Sequence, residues 1–167
     1  MSLESVREHL AAHGRDGDIR QTDGSSATVA EAAAAFGVEA ARIAKTLSFR
    51  GDTSDTAILV VMAGDARTDN AAFKATFGRK ASMLKADEVE RLTGHPVGGV
   101  CPFANPSTAT IYLDTSLKRF RTVFPAAGSP DSAIELTPGE LEELSGAAGW
   151  VTVSRIPQDQ DAPQAPQ

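Results

Sequence analysis

Leu3, Val6 and Leu10 recur at helical spacing, which predicts an amphipathic helix over residues 2–13 ended by Gly14. Residues 14–27 are rich in Gly, Asp and Ser and predict at most a short strand near Ile19. Thr28-Val-Ala-Glu31 is a capping-box pattern that opens an alanine-rich helix, and Gly37 stops it. Glu39–Ile43 adds one more turn. The pattern then changes to two apolar-rich segments, 44–50 and 56–63, joined by the polar turn Gly51-Asp-Thr-Ser-Asp55. That arrangement predicts a β-hairpin. Asp69 caps a helix reaching Phe77, with Gly78 behind it, and Gly94 closes a shorter helix over 87–92. Between Gly94 and Pro106 periodicity stops, and three glycines and three prolines share the segment. Beyond it the pattern predicts strands at 110–113, 121–124 and 133–136 and a helical turn at 116–119. A second capping box, Thr137-Pro-Gly-Glu140, starts a helix over 138–144, and a last strand covers 149–153. Strands and helices interleave irregularly, so the expected fold class is α/β with a mixed sheet rather than a regular doubly wound one.

Composition narrows the class. The 167 residues suit one domain, expected over 1–156, and 41% of them are hydrophobic, enough for a packed core. From 157 to 167 Pro, Gln and Asp dominate, which reads as a disordered tail. The longest apolar run, Ala57 to Ala63, has the length of a buried strand and not of a membrane helix. The first ten residues carry charges and lack a signal-peptide core. A single cysteine, Cys101, excludes an internal disulfide and a multi-cysteine zinc site and suits a reducing compartment. A cytoplasmic protein is expected, with no metal or other cofactor. The net charge of −6 argues against a general nucleic-acid coat protein, although it leaves room for a local basic patch.

Few residues attract chemistry. In the strand over 44–50, Lys45 shares a face with Leu47 and Phe49, which should point to the core. A lysine there must reach water at the strand's start or meet an anion at the mouth of a pocket. Gly94-His-Pro-Val-Gly-Gly-Val-Cys-Pro102 is a loop whose paired glycines let a ligand approach backbone N–H groups. It is neither a Walker loop nor a dinucleotide fingerprint. His95 and Cys101, six apart in that loop, allow a nucleophile–base pair or a buried thiol beside a loop histidine. Asp69 reads as a helix cap. Lys74, Arg79, Lys80 and Lys85 read as a solvated basic face that could instead touch RNA.

Together, Ile43-Ala-Lys-Thr-Leu47, Val61-Met-Ala-Gly-Asp65, Thr93-Gly-His-Pro-Val-Gly-Gly-Val-Cys-Pro-Phe103, Tyr112-Leu-Asp114 and Ile134-Glu-Leu136 resemble the YbaK/prolyl-tRNA synthetase editing-domain family. The resemblance covers residues 3–155, and its most specific part is the lysine at 45 paired with the GxxxP loop Gly98–Pro102. It implies a compact α/β domain with a mixed, barrel-like sheet flanked by helices. It also implies hydrolysis of the ester between a wrong amino acid, such as Cys or Ala, and a tRNA, here by a free-standing protein. The implied partners are the acceptor end of a mischarged tRNA and, as an associate, prolyl-tRNA synthetase, with no role for DNA or membranes.

By resemblance, Lys45 holds the tRNA end or the aminoacyl group. Gly98 and Gly99 hold the ester carbonyl through the backbone and position water. Thr46 matches a pocket residue, and His95, Val100, Cys101, Pro102 and Ala133 complete the expected substrate wall, with Cys101 structural rather than nucleophilic. Ala133 stands where cysteine-removing members carry an acid before the Ile-Glu-Leu segment, so alanine or another small amino acid is as well supported as cysteine. The inventory supports backbone polarisation of an activated ester, with the neighbouring ribose hydroxyl directing water. The competing classes are a non-catalytic binding module for an aminoacyl or nucleotide-like ligand and a synthetase accessory protein.

Overall fold

The computed structural model describes residues 2–23 and 28–157; Met1, residues 24–27 and all but Pro157 of the tail expected over 157–167 lie outside the described residues. In chain order the elements are α1 (Ser2–Ala11), β1 (Ile19–Gln21), α2 (Val29–Phe36), β2 (Ile43–Arg50), β3 (Ala57–Ala63), β4 (Arg67–Thr68) and α3 (Asn70–Phe77). There follow α4 (Ala86–Thr93), β5 (Ala109–Asp114), β6 (Phe124–Pro125), β7 (Ser132–Ile134), α5 (Pro138–Ser145), β8 (Gly149–Val151) and β9 (Ser154–Arg155). Short 3₁₀ turns precede β1 and β2 and follow β5.

Local chemistry sets the helix ends. Thr28 and Thr137 each accept from the N–H three residues on, and Glu31 and Glu140 reach back to the cap N–H, completing both capping boxes. Asp69 caps α3 by accepting from the Ala72 N–H at 3.1 Å. Gly37, Gly78, Gly94 and Gly146 end four helices in the left-handed conformation.

The central sheet has the order β6-β2-β3-β5-β8. β2 and β3 form the expected antiparallel hairpin, with Arg50 opposite Ala57, and the other three pairings are parallel. The hairpin turn runs one residue longer than the sequence suggests. Gly51 N–H donates to Thr56 O, and the Thr56 hydroxyl donates to Thr53 O, so Thr56 belongs to the turn. β1–β7 and β4–β9 form two small antiparallel ribbons. Single bridges, Val123 to Leu136 and Ala126 to Ala133, carry the pairing from β6 round to β7 and curl that edge of the sheet. The result is the expected mixed sheet flanked by helices.

β3 lies between two partners and is covered on both faces, so Leu59, Val60, Val61, Met62 and Ala63 are completely buried. Each large side chain there contributes roughly 1.5–3 kcal/mol through burial. A row of rings, Phe49–Phe73–Phe77–Tyr112, steps at centroid distances of 4.7, 4.7 and 4.9 Å and ties α3 to the sheet.

Three further strands differ from the sequence reading by more than a residue. The strand expected over 121–124 is only Phe124–Pro125; Val123 before it makes a single bridge to Leu136 instead, and Pro125 has no N–H to extend a ladder beyond. The strand expected over 133–136 is Ser132–Ile134, with Leu136 turned to bridge Val123. The segment expected as one strand over 149–153 is split. The buried Asp114 carboxylate accepts from the Val153 N–H at 2.8 Å and from the Ser154 hydroxyl at 2.6 Å. These bonds pull the chain off β5 and deliver β9 to β4. Asp114 also accepts from the Ser116 N–H at 2.9 Å, so one carboxylate organises three segments.

Candidate active site

A pocket of about 380 Å³ lies between α2, β2, the start of α4, the Pro96–Pro102 loop and the β6–β7 edge. Its wall is mostly apolar: Val29, Ala32 and Phe36 from α2, Ile43 and Leu47 from β2, and Phe124 and Ala126 beyond. Its size and its few polar groups are those of a small-molecule site. Met83 and Val97 also line it, although 52% and 63% exposed, and both are large apolar side chains left in contact with water.

Lys45 comes from the start of β2. Phe49, two pleats along the same face, enters the core, and Leu47 sits between core and pocket. Lys45 is half-buried, and its Nζ donates to Ala66 O at 2.5 Å and Gly64 O at 3.3 Å. An ammonium has three N–H donors, so one remains for a ligand. Burial is the main cause that pulls the Lys45 pKa below its ordinary value; Arg67 adds to the effect and Asp65 opposes it. The carbonyls that hold Lys45 come from the turn after β3, where Gly64 packs so tightly that a Cβ would stand 2.0 Å from Ala40 O. Neither carbonyl has a signature in sequence, because any residue could supply one.

The glycine–proline loop is shaped by specific bonds. Gly98 adopts φ +90°, which disfavours any side chain. Gly99 is buried, and a Cβ there would lie 3.3 Å from Gly128 O. Its N–H donates to Pro96 O at 2.9 Å, so it is spent within the turn. That corrects the expectation that Gly99 offers its N–H to a ligand; its place is to let the loop pack on the 128–129 segment. Among the described residues the Gly98 and Val100 N–H groups have no hydrogen-bond partner, and both residues line the pocket. Asn105, which the sequence reading passed over, braces the loop by donating to Thr93 O at 2.7 Å and Cys101 O at 3.0 Å. An Asn in a loop carries no such signal until the fold brings those carbonyls to it.

Lys45, Thr46, Gly98, Val100 and Ala133 therefore meet in one pocket, whereas Gly99, His95, Cys101 and Pro102 lie behind its lining. The Thr46 hydroxyl is buried without a partner among the described residues, a donor and acceptor on the wall. Ala133, buried in β7, presents a methyl group where an acid would place a charge.

His95 and Cys101 touch, with Sγ 3.4 Å from Nε2, and both are completely buried. The same Nε2 lies 2.7 Å from Phe103 O, a group that only accepts, so Nε2 carries the ring proton and cannot take one from the thiol. Burial pushes the Cys101 thiol up to about 12 and holds the imidazole below its ordinary value. The pair is a packing contact. Cys101→Ser is expected to leave any activity of the pocket intact in a turnover assay, with only a modest drop in melting temperature; an inactive, folded variant would restore the nucleophile reading.

A family model for the aminoacyl-tRNA editing domain matches residues 23–144. The uncharacterized protein YwhH of Bacillus subtilis (strain 168) is 54% identical over 155 residues, covering 93% of this chain and 98% of that protein. A structure reported as "Crystal structure of a putative trans-editing enzyme for prolyl tRNA synthetase" is 30% identical, covers 92% of this chain and 97% of its own, and superposes with a TM-score of 0.81. Hypothetical protein APE2540 is 34% identical, covers 90% and 99%, and gives a TM-score of 0.78. The family model spans most of the chain and both structures superpose over nearly all of it, so the protein belongs to the aminoacyl-tRNA editing domain family.

Proposed function

We propose that the protein is a free-standing deacylase that cleaves the ester of a tRNA carrying a small wrong amino acid, such as Ala or Cys, with tRNA(Pro) as the carrier. The observation that carries this reading is the pairing of a fixed ammonium, Lys45, with unpartnered loop N–H groups at Gly98 and Val100 across one apolar pocket. Water attacks the ester carbonyl carbon, the carbonyl oxygen becomes an oxyanion, and the C–O bond to the ribose breaks. The ribose oxygen leaves with a proton, giving free amino acid and uncharged tRNA. The loop N–H groups stabilise the oxyanion, and Lys45 holds the substrate's negatively polarised end. The neighbouring ribose hydroxyl directs the water, which suits a site whose His95 and Cys101 are packed away from the lining. The methyl of Ala133 and the rings of Phe36 and Phe124 favour a small side chain over a charged one. Prolyl-tRNA synthetase is the associate this reading implies.

The test is a panel of labelled aminoacyl-tRNAs: Ala- and Cys-tRNA(Pro), with Ser- and Thr-charged species beside them. Rapid hydrolysis of one or two supports the deacylase and names its substrate. No hydrolysis by folded protein, with saturable binding of a non-hydrolysable aminoacyl-adenosine, would replace it with a binding module.

A further inference from the structure

β4 and β9 are two residues long, yet their register sets Arg67 directly opposite Arg155. Cross-strand neighbours on one face have Cβ atoms about 5 Å apart, and like charges there repel. Both arginines are exposed, and neither side chain makes a hydrogen bond or ion pair among the described residues. The nearby acids are committed elsewhere. Asp65 pairs with Arg119 at 2.5 Å, Asp69 caps α3, and Asp114 is saturated by Ser116, Val153 and Ser154. The chain thus commits a buried carboxylate to holding β9 where its register places Arg155 opposite Arg67, with no ion-pair partner for either among the described residues.

Arg67 is also linked to the lysine of the pocket. Arg67 follows directly on Ala66, whose carbonyl holds the Lys45 ammonium. Its positive charge works in the same direction as burial in lowering the Lys45 pKa.

We infer that Arg67 and Arg155 form a clamp for the RNA backbone phosphates next to the terminal nucleotide whose ester enters the pocket. The inference rests on the deacylase reading for the identity of the RNA. A guanidinium pair suits this ligand because each planar fork bonds a phosphate through two N–H groups, and a phosphate between them replaces repulsion with attraction. In a protein of net charge −6, a local pair without acidic partners among the described residues also gives a polyanion a defined place to land.

The experiment measures binding of uncharged tRNA by anisotropy at several salt concentrations, for the wild type, Arg67→Ala, Arg155→Ala and Arg155→Glu, with melting temperatures alongside. Each alanine variant is expected to weaken binding about tenfold at 0.1 M salt and to flatten the log–log salt slope by about one unit. Arg155→Glu should bind worst while melting no lower than the wild type, because it supplies Arg67 with an ion-pair partner. Adenosine monophosphate is the small-ligand arm. If it binds as tightly as tRNA with the same arginine dependence, the site takes a lone phosphate and the clamp is overturned. Unchanged tRNA affinity in both alanine variants overturns it too, as does a fall in melting temperature that accounts for the lost binding. Arginine-dependent tRNA binding without hydrolysis of any aminoacyl-tRNA would support the clamp while overturning the deacylase reading.

Discussion

Replacing Lys45 with alanine is expected to lower single-turnover deacylation by about 100-fold or more, the scale on which one electrostatic contact to a developing charge acts in a water-poor site. The ammonium is half-buried and held by two backbone carbonyls, so it arrives at the substrate oriented, with little ordering left to do. Alanine removes the charge and leaves the Gly64 and Ala66 carbonyls without their donor. A melting curve on the same preparation separates lost chemistry from lost fold. Lys45 also predicts an alkaline limb. The charged form is required, and burial lowers its pKa, so activity should fall as pH rises through a value below that of an ordinary lysine. The direction for stability is the reverse. The folded state binds this proton less tightly than the unfolded state, so the cost of burying the charge is present at low pH and fades as pH rises toward the unfolded pKa. Rates corrected for spontaneous ester hydrolysis check the first statement. A flat rate through the alkaline range, or full activity in Lys45→Ala, would remove Lys45 from the mechanism.

The second large effect belongs to Asp114. Its carboxylate is fully buried and accepts from the Ser116 and Val153 N–H groups and the Ser154 hydroxyl. Asp114→Ala strands these donors, one of them on the completely buried Val153, and should cost about 3 kcal/mol in urea unfolding, since bonds to a charged group and orphaned buried donors each count for 1–3 kcal/mol. Asp114→Asn keeps the shape and one acceptor oxygen and should cost less. The loss should also reach function through β9, because Asp114 anchors Val153 and Ser154 at the point where that strand pairs with β4. A variant that unfolds like the wild type would show that β9 is held by its packing and not by Asp114.

Much of the local structure was legible in the chain. Thr28 with Glu31, Thr137 with Glu140, Asp69, and the glycines at 37, 78 and 94 act over one helical turn, so their spacing is enough to read them. The hairpin over 43–63 was legible for the same reason. Misplaced boundaries clustered where a distant group overrides local preference: Asp114 draws Val153 out of β8, and Leu136 turns to Val123. The strand expected over 121–124 belongs with these, since it begins only at Phe124, after Val123 has bridged to Leu136.

For the site, the sequence by itself determined the candidates: a lysine opening a strand and a loop whose glycines permit close approach. These are properties of residue types and short spacings. Only the tertiary structure decided what each candidate can offer. It turned the Gly99 N–H into the turn and left those of Gly98 and Val100 unpartnered. It set His95 Nε2 to donate to Phe103 O, and it set Arg155 opposite Arg67 across 88 positions of chain. A hydrogen bond or a field between two groups depends on where both are. Residues far apart along the chain acquire that relation only when the core between them is packed.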